Sequence, residues 1–563
     1  MKRPSILLVT LSLVIYLLSL GTHADAQSPS WTKKALKSVF TLKTFAADGT
    51  LLGSSNGFFT SEQGDAVSSY APFRGASRAV VIDASGKEYD VEYMLGANET
   101  YDISKFHVSV RKSVALPLAS VPAAPGEPLW LLPYRDQKQV SRGVVSKSED
   151  VNTYYRYYTL RLKADDSHVG CPLLNESGEA VGLLQPASRL QDTLSYAVGA
   201  LMADSLHITA LSHNDPALRA VGLRKALPPT RDEALLTLYL TSSGSDTASF
   251  AAMVDDFISQ YPTAVDGYVY RASLAVDGGR YADADRDMQH AVEKGDQKAE
   301  AHYNYSRIIY QKELYHQDKP YAPWSLSKSL EEVREAHRLN PQPAYRHHEA
   351  AVLYAMKQYR EAAAVYRELT STNLRSAELF YEASRCEEML RDTTAQIAML
   401  DSAVATFSKP YLKAAAPYLL ERARVNHDAG HFRAAVADYN EYESLMKSQL
   451  KSRFYYLRFQ AEVDSRQYQL ALNDINQTID MEPENDLYHA EKASLLVRVG
   501  HYEEAEAEAR TCITLAPDHS DGYLFLGVVL CQTGRKEEGL KHLRKAGELG
   551  DSQVEGLIAK YSE

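Results

Sequence analysis

The feature that most constrains this chain is a sequence pattern that recurs at a fixed interval near its C-terminal end. Tyr468, Tyr502 and Lys536 are evenly spaced and occupy the same place in three successive segments. Pro483 and Pro517 are separated by the same interval, and each follows a helical stretch that a proline cannot continue. A fixed period of about 34 residues predicts a stack of small structural units that repeat one local fold.

Each unit is predicted to contain two helices joined by a tight turn. A small residue, Ala493 or Gly527, stands nine positions before the aromatic position, and small side chains let two helix backbones cross closely. One such hairpin cannot bury its apolar face alone, so neighbouring hairpins must stack. The period, the small residue and the closing proline resemble those of tetratricopeptide repeats. The resemblance implies an all-α superhelix with a binding groove.

Related segments extend the repeats towards the N-terminus. An aromatic residue followed three positions later by alanine recurs at Tyr281, Tyr359 and Phe432. Weaker units fit between these segments. Residues 231–563 are therefore predicted to hold about nine repeats.

The unit at 298–342 is longer than the period allows. Its extra residues include Trp324, with Tyr315 and Tyr321 nearby. Insertions in a repeat form loops on one face of the stack. Two interpretations stay open: the aromatic side chains of the loop contact a partner, or Trp324 folds back and fills a gap in the stack.

The N-terminal segment, residues 1–26, has the pattern of a targeting sequence. Two basic residues precede an apolar run, and Ala24 and Ala26 form an A-x-A site just before Gln27. This pattern is typical of a signal peptide and predicts an exported protein. A retained membrane anchor is the alternative, although the apolar run is short for a membrane span. We expect the protein in the periplasm of a Gram-negative bacterium or in association with its outer membrane.

Residues 28–211 differ from the repeats in their sequence pattern. Short runs of β-forming residues, for example 38–43, 79–83 and 129–133, alternate with clusters of Gly, Asp, Asn and Pro. Many short strands with regular turns predict a barrel or a sandwich. Residues 212–230 contain two proline-rich turns and are predicted to form a polar linker.

Four segments of this region occur in an order that resembles a known family. They are the Ser- and Gly-rich stretch 52–59, Tyr-Asp-Ile-Ser at 101–104, the stretch 170–183, and Tyr-Ala-Val at 196–198. In this order they are similar to the trypsin-like serine peptidases of the bacterial protein-quality-control type. The resemblance implies an all-β double barrel ahead of the all-α repeats.

The resemblance allows the catalytic positions of that family to be carried over one at a time. The position of the general base falls on Ala71 and the position of the nucleophile on Val169. Alanine cannot accept a proton, and valine has no nucleophilic group. The orienting aspartate matches Asp102, which is present. The resemblance therefore implies a pseudopeptidase, a peptidase barrel without its catalytic chemistry.

Neighbouring residues of suitable chemistry are not expected to restore the site. Ser167 and Cys171 each lie two positions from Val169, which moves their side chains beyond the roughly 3 Å that nucleophile activation requires. His168 and His107 are available as bases, but we interpret them as a turn residue and a strand residue.

Composition argues against several other functions. The net charge of −12 disfavours a nucleic-acid partner, because binding phosphates requires a basic surface. None of the four cysteines has metal-ligand spacing, and neither a metal site nor a small-molecule cofactor is predicted. Cys512 and Cys531 fall on neighbouring predicted helices, so a disulfide between them stays open beside their interpretation as small core residues.

The repeats supply the candidate binding surface. The first helix of each repeat lines the groove, and we expect a peptide or protein partner of the cell envelope to bind there. The candidate binding residues share this groove-facing register, and they are Asn304, Ile308, Arg424, Tyr456, Gln460 and Ser494.

Two classes of function follow from these features. A non-enzymatic exported scaffold that binds a partner through its repeats is favoured, because Ala71 and Val169 lack catalytic chemistry. The alternative is a periplasmic trypsin-like serine endopeptidase whose repeats recruit the substrate. A fluorophosphonate probe distinguishes the two, because it modifies only an activated serine.

Overall fold

A computed structural model describes residues 29–134, 140–151, 155–186, 193–244 and 246–562. The predicted signal peptide, 1–26, lies outside these residues. The chain divides into two compact units, Met1–Arg271 and Ala272–Glu563. Within the described ranges, no helix is both long enough and apolar enough to cross a membrane.

Twelve strands form two barrels in the N-terminal region. The first six are β1 (Val39–Phe45), β2 (Leu51–Phe59), β3 (Asp65–Ser68), β4 (Arg78–Ile82), β5 (Glu88–Asn98) and β6 (Ile103–Val108). The second six are β7 (Pro128–Leu131), β8 (Ser141–Asp150), β9 (Arg156–Arg161), β10 (Pro172–Leu174), β11 (Ala180–Leu184) and β12 (Leu194–Gly199). Each set closes into an antiparallel barrel, in the orders β1-β2-β3-β6-β5-β4 and β10-β11-β12-β9-β8-β7. The prediction of an all-β double barrel is confirmed.

The alternation of side chains along each strand explains how the barrels fill. In β1, Phe40 and Leu42 are fully buried. Lys43 directly follows Leu42 in the strand and is more accessible. The Phe40 ring makes edge-to-face contacts with Phe59 and Phe106, at centroid distances of 4.9 and 6.2 Å. Offset aromatic pairs of this kind add stability beyond the area that they bury.

Residues 212–230, predicted to be a polar linker, pack against the first barrel instead. Val221 is buried in the core of that barrel. The Met94 amide donates to the Arg224 carbonyl oxygen at 2.8 Å, and the Ala226 amide donates to the Met94 carbonyl oxygen at 2.9 Å. The linker prediction was wrong because it weighed the prolines and polar residues and overlooked the apolar side chains between them. The barrel domain continues through this segment.

Helices occupy the rest of the chain, which confirms the predicted all-α region. Among the described residues, eighteen helices of this region follow one another as nine consecutive pairs, and a short nineteenth closes the chain. They are α1 (Arg231–Thr241), α2 (Thr247–Gln260), α3 (Val265–Asp277), α4 (Tyr281–Lys294), α5 (Lys298–Tyr315), α6 (Leu326–Leu339), α7 (Pro343–Ala355), α8 (Tyr359–Leu369), α9 (Ala377–Leu390), α10 (Thr393–Val404), α11 (Ala416–Asp428), α12 (Phe432–Met446), α13 (Ser452–Asp464), α14 (Tyr468–Met481), α15 (Asp486–Val499), α16 (Tyr502–Leu515), α17 (Ser520–Gln532), α18 (Lys536–Glu548) and α19 (Val554–Ser562).

Small residues lie at the helix crossings, as the repeat pattern predicts. Ala493 is fully buried. A Cβ atom added at Gly527 would lie 2.8 Å from Leu543 Cγ and 2.9 Å from the Gly539 carbonyl oxygen. The backbones of α17 and α18 therefore approach each other so closely that only glycine fits at this position without rearrangement.

The loop inserted between α5 and α6 folds back onto the stack. Trp324 is buried, and its Nε1 donates to Asp285 Oδ1 at 2.9 Å. The Tyr321 hydroxyl donates to Oδ2 of the same carboxylate at 3.0 Å, and the Tyr305 hydroxyl donates to it as well. Trp324 thus fills a gap in the stack, whereas Tyr315 stays 75% exposed.

Candidate functional site

The base position and the aspartate position lie side by side in the first barrel. Ala71 begins a short 3-10 turn, Ala71–Phe73, that follows β3, and Asp102 directly precedes β6. The Ala71 amide donates to Asp102 Oδ1 at 2.6 Å. The structure therefore brings two of the three carried-over positions together, with a methyl group where a triad would have an imidazole.

The Asp102 carboxyl group is held by a main-chain donor. Burial raises the pKa of Asp102, and the hydrogen bond from the Ala71 amide acts in the opposite direction. Its backbone has a φ of 44°, a left-handed conformation that few residues other than glycine adopt. Gln185 Nε2 donates to the Asp102 carbonyl oxygen at 3.4 Å. The residue thus keeps a defined position although no imidazole depends on it.

The third carried-over position, Val169, lies in the loop between β9 and β10, which we call the nucleophile loop (residues 165–171). The Val169 carbonyl oxygen accepts from the Asn56 amide at 2.9 Å and from Asn56 Nδ2 at 3.0 Å. Asn56 Nδ2 also donates to the Ser167 carbonyl oxygen at 2.8 Å. At Gly170 the φ is 83°, and an added Cβ would lie 2.0 Å from the Asn56 carbonyl oxygen. The nucleophile loop is therefore docked on β2.

The amide groups of the nucleophile loop donate within the chain. The Ser167 amide donates to Asp165 Oδ1 at 2.9 Å. The His168 amide donates to the Asp165 carbonyl oxygen at 3.0 Å, and the Val169 amide donates to the Asp166 carbonyl oxygen at 3.3 Å. In trypsin-like enzymes, the amides at the positions of Ser167 and Val169 bind the oxyanion of the reaction. Both are already engaged here, a feature that the sequence analysis missed.

An aspartate, a serine and a histidine meet in the nucleophile loop, but not in the arrangement of a catalytic triad. Asp165 Oδ1 accepts from the Ser167 hydroxyl and lies 2.8 Å from His168 Nδ1. Ser167 Oγ lies 3.4 Å from the same Nδ1. A triad requires the nucleophile and the aspartate on opposite ring nitrogens. Because both groups lie at the same nitrogen, His168 is not placed to accept the Ser167 proton at one nitrogen while Asp165 orients the ring through the other.

The two remaining candidates for a rescued site have structural roles. His107 Nδ1 lies 2.8 Å from Asp65 Oδ1 on the neighbouring strand, and its ring stacks on Tyr93 at 4.9 Å. Cys171 is fully buried, and burial raises its pKa to about 12. A thiol with that pKa stays protonated at neutral pH and is a poor nucleophile.

An open cleft of about 440 Å³ borders the nucleophile loop on the side of β2. Hydroxyl, amide and carboxylate groups make up most of its lining, which consists of Thr41, Ser54, Ser55, Asn56, Pro133, Tyr134, Asp166, Ser167 and His168. The cleft offers hydrogen-bonding groups to a ligand, but Ala71 and Asp102 are not part of this lining.

The predicted binding residues of the repeats differ in their exposure. Asn304 and Ile308 are 8% and 4% exposed, and Asn304 Nδ2 donates to the Glu300 carbonyl oxygen at 3.0 Å. The other four keep accessible surface, and they are Arg424, Tyr456, Gln460 and Ser494. Asn304 and Ile308 thus offer a partner little surface. Binding at these positions stays a prediction.

The first helices of successive repeats are connected by hydrogen bonds to carboxylates, which we call the carboxylate ladder. The pairs are Tyr345–Glu300 (2.9 Å), His347–Glu382 (2.6 Å), Tyr418–Glu378 (2.9 Å), His427–Asp464 (3.0 Å), Tyr456–Glu491 (3.0 Å) and His519–Asp486 (2.7 Å). Hydrogen bonds that the imidazole groups of His347 and His519 donate to the carboxylates of Glu382 and Asp486 raise the pKa of both histidines. The ladder joins α5, α7, α9, α11, α13, α15 and the start of α17 in sequence.

The cysteines and possible metal ligands add no further site. All four cysteines, Cys512 and Cys531 among them, are free thiols. The structure therefore favours small packed residues over a disulfide. In the described ranges, no group of three or more His, Cys, Asp or Glu side chains is placed to hold a metal ion.

Comparison with known proteins finds family matches in two separate stretches of the chain. Residues 55–183 match the family model of the trypsin-like peptidase domain, and residues 490–552 match a family model of the tetratricopeptide repeat. The small glutamine-rich tetratricopeptide repeat-containing protein 2 of Saccharomyces cerevisiae is 29% identical over 98 residues, which are 17% of this chain. The chain spans 28% of the length of that relative.

Two solved structures are similar to the chain at low sequence identity. The active form of the Rv3671c protease from M. tuberculosis is 16% identical, with a TM-score of 0.28, and the match covers 31% of this chain and 82% of that chain. A serine endoprotease from Yersinia pestis is 14% identical, also with a TM-score of 0.28, and the match covers 32% of this chain and 66% of that chain.

Proposed function

We propose that this chain, which joins a trypsin-like peptidase domain to a tetratricopeptide-repeat region, is an exported, non-enzymatic protein that binds a peptide or protein partner in the cell envelope. The observation that carries the proposal is the chemistry around the nucleophile loop. Val169 stands at the nucleophile position and Ala71 at the base position. The amides of Ser167 and Val169 donate within the chain. Nucleophile, base and oxyanion donors are the three parts that acyl transfer requires.

The repeats are the proposed binding element. Tetratricopeptide stacks present an extended surface formed by successive first helices. Arg424 and Tyr456 keep accessible surface at this position on α11 and α13. The carboxylate ladder supports a defined spacing between these helices, so a partner would meet a preformed surface and lose less free energy to ordering it.

Export is part of the proposal and rests on the pattern of residues 1–26. A signal peptide of this kind is removed, and the mature chain would begin at Gln27 in the periplasm or at the outer membrane. N-terminal sequencing of the protein purified from its native host tests this directly. An intact Met1 in the cytosolic fraction would contradict it.

Fluorophosphonate labelling tests the absence of peptidase activity. The purified mature protein is incubated with the probe beside an active trypsin-like protease as the positive control. We expect no labelling and no cleavage of a casein substrate. Labelling of the unmodified protein would overturn the proposal in favour of the endopeptidase alternative.

Two arginine variants from one helix pair test the binding surface, with circular dichroism of both as the check on folding, because Arg424 is also ion-paired with Glu388, Glu421 and Asp428. Arg424 and Arg433 belong to the same helix pair and are both exposed, but only Arg424 lies at the groove-facing register of a first helix. After crosslinking in envelope extracts, we expect Arg424→Glu to reduce partner capture several-fold and Arg433→Glu to leave it unchanged. Equal capture by both variants would move the binding site away from this part of the first-helix face.

A further inference from the structure

The nucleophile loop contains an anion of its own. One oxygen of Asp165, Oδ1, accepts from the Ser167 amide at 2.9 Å and from the Ser167 hydroxyl, and it lies 2.8 Å from His168 Nδ1. Several donors converging on one oxygen are the arrangement by which proteins bind an oxyanion or a carboxylate. The Asp165 side chain is 69% exposed. An oxyanion site normally receives its anion from a substrate. Here the anion is the carboxylate of Asp165, which belongs to the same loop as the donors and lies at the surface.

This contact is connected to the conformation of the whole turn. Asp165 is the N-cap of the 3-10 turn Asp166–His168, and its carbonyl oxygen accepts from the His168 amide at 3.0 Å. On the other side of the same segment, the Ser167 carbonyl oxygen accepts from Asn56 Nδ2 at 2.8 Å. The peptide groups around Ser167 are thus held from two sides. Their amides are directed towards Asp165 and its turn.

We propose that Asp165 is a latch whose carboxylate binds the Ser167 amide, one of the two oxyanion donors, and so keeps it from binding an oxyanion. The inference rests on the proposed loss of peptidase activity, but it concerns the backbone of the loop and not the missing side chains. Hydrogen bonds from Ser167 and His168 lower the pKa of Asp165, so the carboxylate stays ionised at neutral pH. It follows that replacing Ala71 and Val169 with histidine and serine is not sufficient to restore the site.

Amide hydrogen exchange in the full mature chain tests the latch. Asp165→Ala removes the acceptor, and we expect exchange in the peptide covering 165–171 to become about tenfold faster, because a hydrogen bond to a charged group is lost. Asp166→Ala is the matched control, since its side chain makes no hydrogen bond in the described part of the chain, and we expect no change. Asp165→Asn keeps an acceptor oxygen and should give an intermediate rate.

The exchange experiment separates a latch from a general loss of stability. Peptides from β1 and β11 should exchange at the wild-type rate in all three variants. Equal exchange of the 165–171 peptide in Asp165→Ala and Asp166→Ala would overturn the latch.

Probe labelling supplies a second readout that is independent of the first. In a chain carrying Ala71→His and Val169→Ser, we expect no fluorophosphonate labelling while Asp165 is intact, and labelling once Asp165→Ala is added. Equal labelling with and without Asp165 would overturn the latch and leave the proposed function standing. Labelling of the unmodified chain would instead overturn the proposed function, so the two failures are distinguishable.

Discussion

The barrel domain and the repeat region both hold polar groups in defined places, but they do so in different ways. In the barrel domain the contacts described above do not follow a repeating pattern. The Asn56 side chain, for example, donates to the carbonyl oxygens of both Ser167 and Val169 and connects the nucleophile loop to β2. In the repeat region one type of contact recurs, because the carboxylate ladder joins successive first helices by six tyrosine or histidine pairs.

The difference teaches how each region can lose or keep its function. A site that is built once can lose its chemistry when single residues change, as we propose for Ala71 and Val169, while the barrel core around Phe40 stays packed. A surface that is built by repetition has no single residue whose replacement would remove its function. Each repeat contacts its neighbours only, so the loss of one contact is expected to remain local.

The largest effect expected in the repeat region comes from a position where two backbones meet. Gly527→Trp places a large ring where even a Cβ would lie 2.8 Å from Leu543 Cγ, and we expect a loss of more than about 4 kcal/mol with unfolding of the last repeats. Circular dichroism and limited proteolysis measure it. Gly556→Ala in α19 is the control, because nothing lies within 4 Å of the added Cβ. A fully folded Gly527→Trp variant would break the assignment of this crossing.

The next largest effect tests how much a single side chain contributes to the docking of the nucleophile loop. Asn56 is 7% exposed, and Asn56→Ala leaves the carbonyl oxygens of Ser167 and Val169 without its side-chain amide group. We expect a loss of about 2 kcal/mol. Chemical denaturation followed by the fluorescence of Trp31 and Trp130, both in the barrel domain, measures it.

Ser54→Ala on the same strand is the control for the asparagine variant. It removes one hydrogen bond, from Ser54 Oγ to the Leu42 carbonyl oxygen at 3.0 Å, and should cost about 1 kcal/mol or less. If Asn56→Ala cost no more than this control, the two hydrogen bonds of the Asn56 side chain would contribute no more to stability than the single bond of Ser54.

A buried carboxylate outside the ladder gives a pH-dependent effect. Glu462 is 2% exposed, its Oε2 has no hydrogen-bond partner among the described residues, and burial raises its pKa to about 8 from 4.5. The folded chain keeps this proton at pH values where the unfolded chain has released it, so stability falls as the pH rises from 4.5 towards 8. Glutamine cannot ionise, and we expect Glu462→Gln to gain at least about 1.4 kcal/mol relative to wild type between pH 5 and pH 8.

Thermal melts followed by circular dichroism at the two pH values measure the gain from Glu462→Gln. The exposed Glu484 supplies the control, and Glu484→Gln should shift both melts equally. A gain from Glu462→Gln that is the same at both pH values would show that the carboxyl group does not titrate as a buried acid.

The smallest effect is expected within the carboxylate ladder. Tyr418→Phe removes only the hydroxyl that donates to Glu378 Oε2 at 2.9 Å and keeps the ring contacts with Tyr381 and Phe407. We expect a loss of about 0.5 kcal/mol, since the pair is exposed and the other five remain. A loss above about 2 kcal/mol in a thermal melt would show that the ladder acts as one cooperative network, which would remove the contrast with the barrel domain.

Much of the fold could be predicted from the sequence, because its determinants are local or periodic. The regular spacing of Tyr468 and Tyr502 predicts helix pairs wherever the pattern recurs, and the structure has them. In the structure Asp102 also lies beside Ala71, whose amide donates to its carboxylate. Residue identity by itself decides that Ala71 and Val169 offer neither a base nor a nucleophile.

Only the tertiary structure decided the features that depend on contacts between distant residues. The sequence is compatible with an exposed or a packed Trp324. In the structure its indole N–H donates to the carboxylate of Asp285. The segment around Val221 looked like a linker because its barrel partners are far away in the sequence. The orientation of the Ser167 amide towards Asp165 follows from backbone dihedrals and from the docking of the loop on Asn56. Residue spacing encodes neither the backbone dihedrals nor the docking of the loop, because a peptide group can rotate while the sequence stays the same.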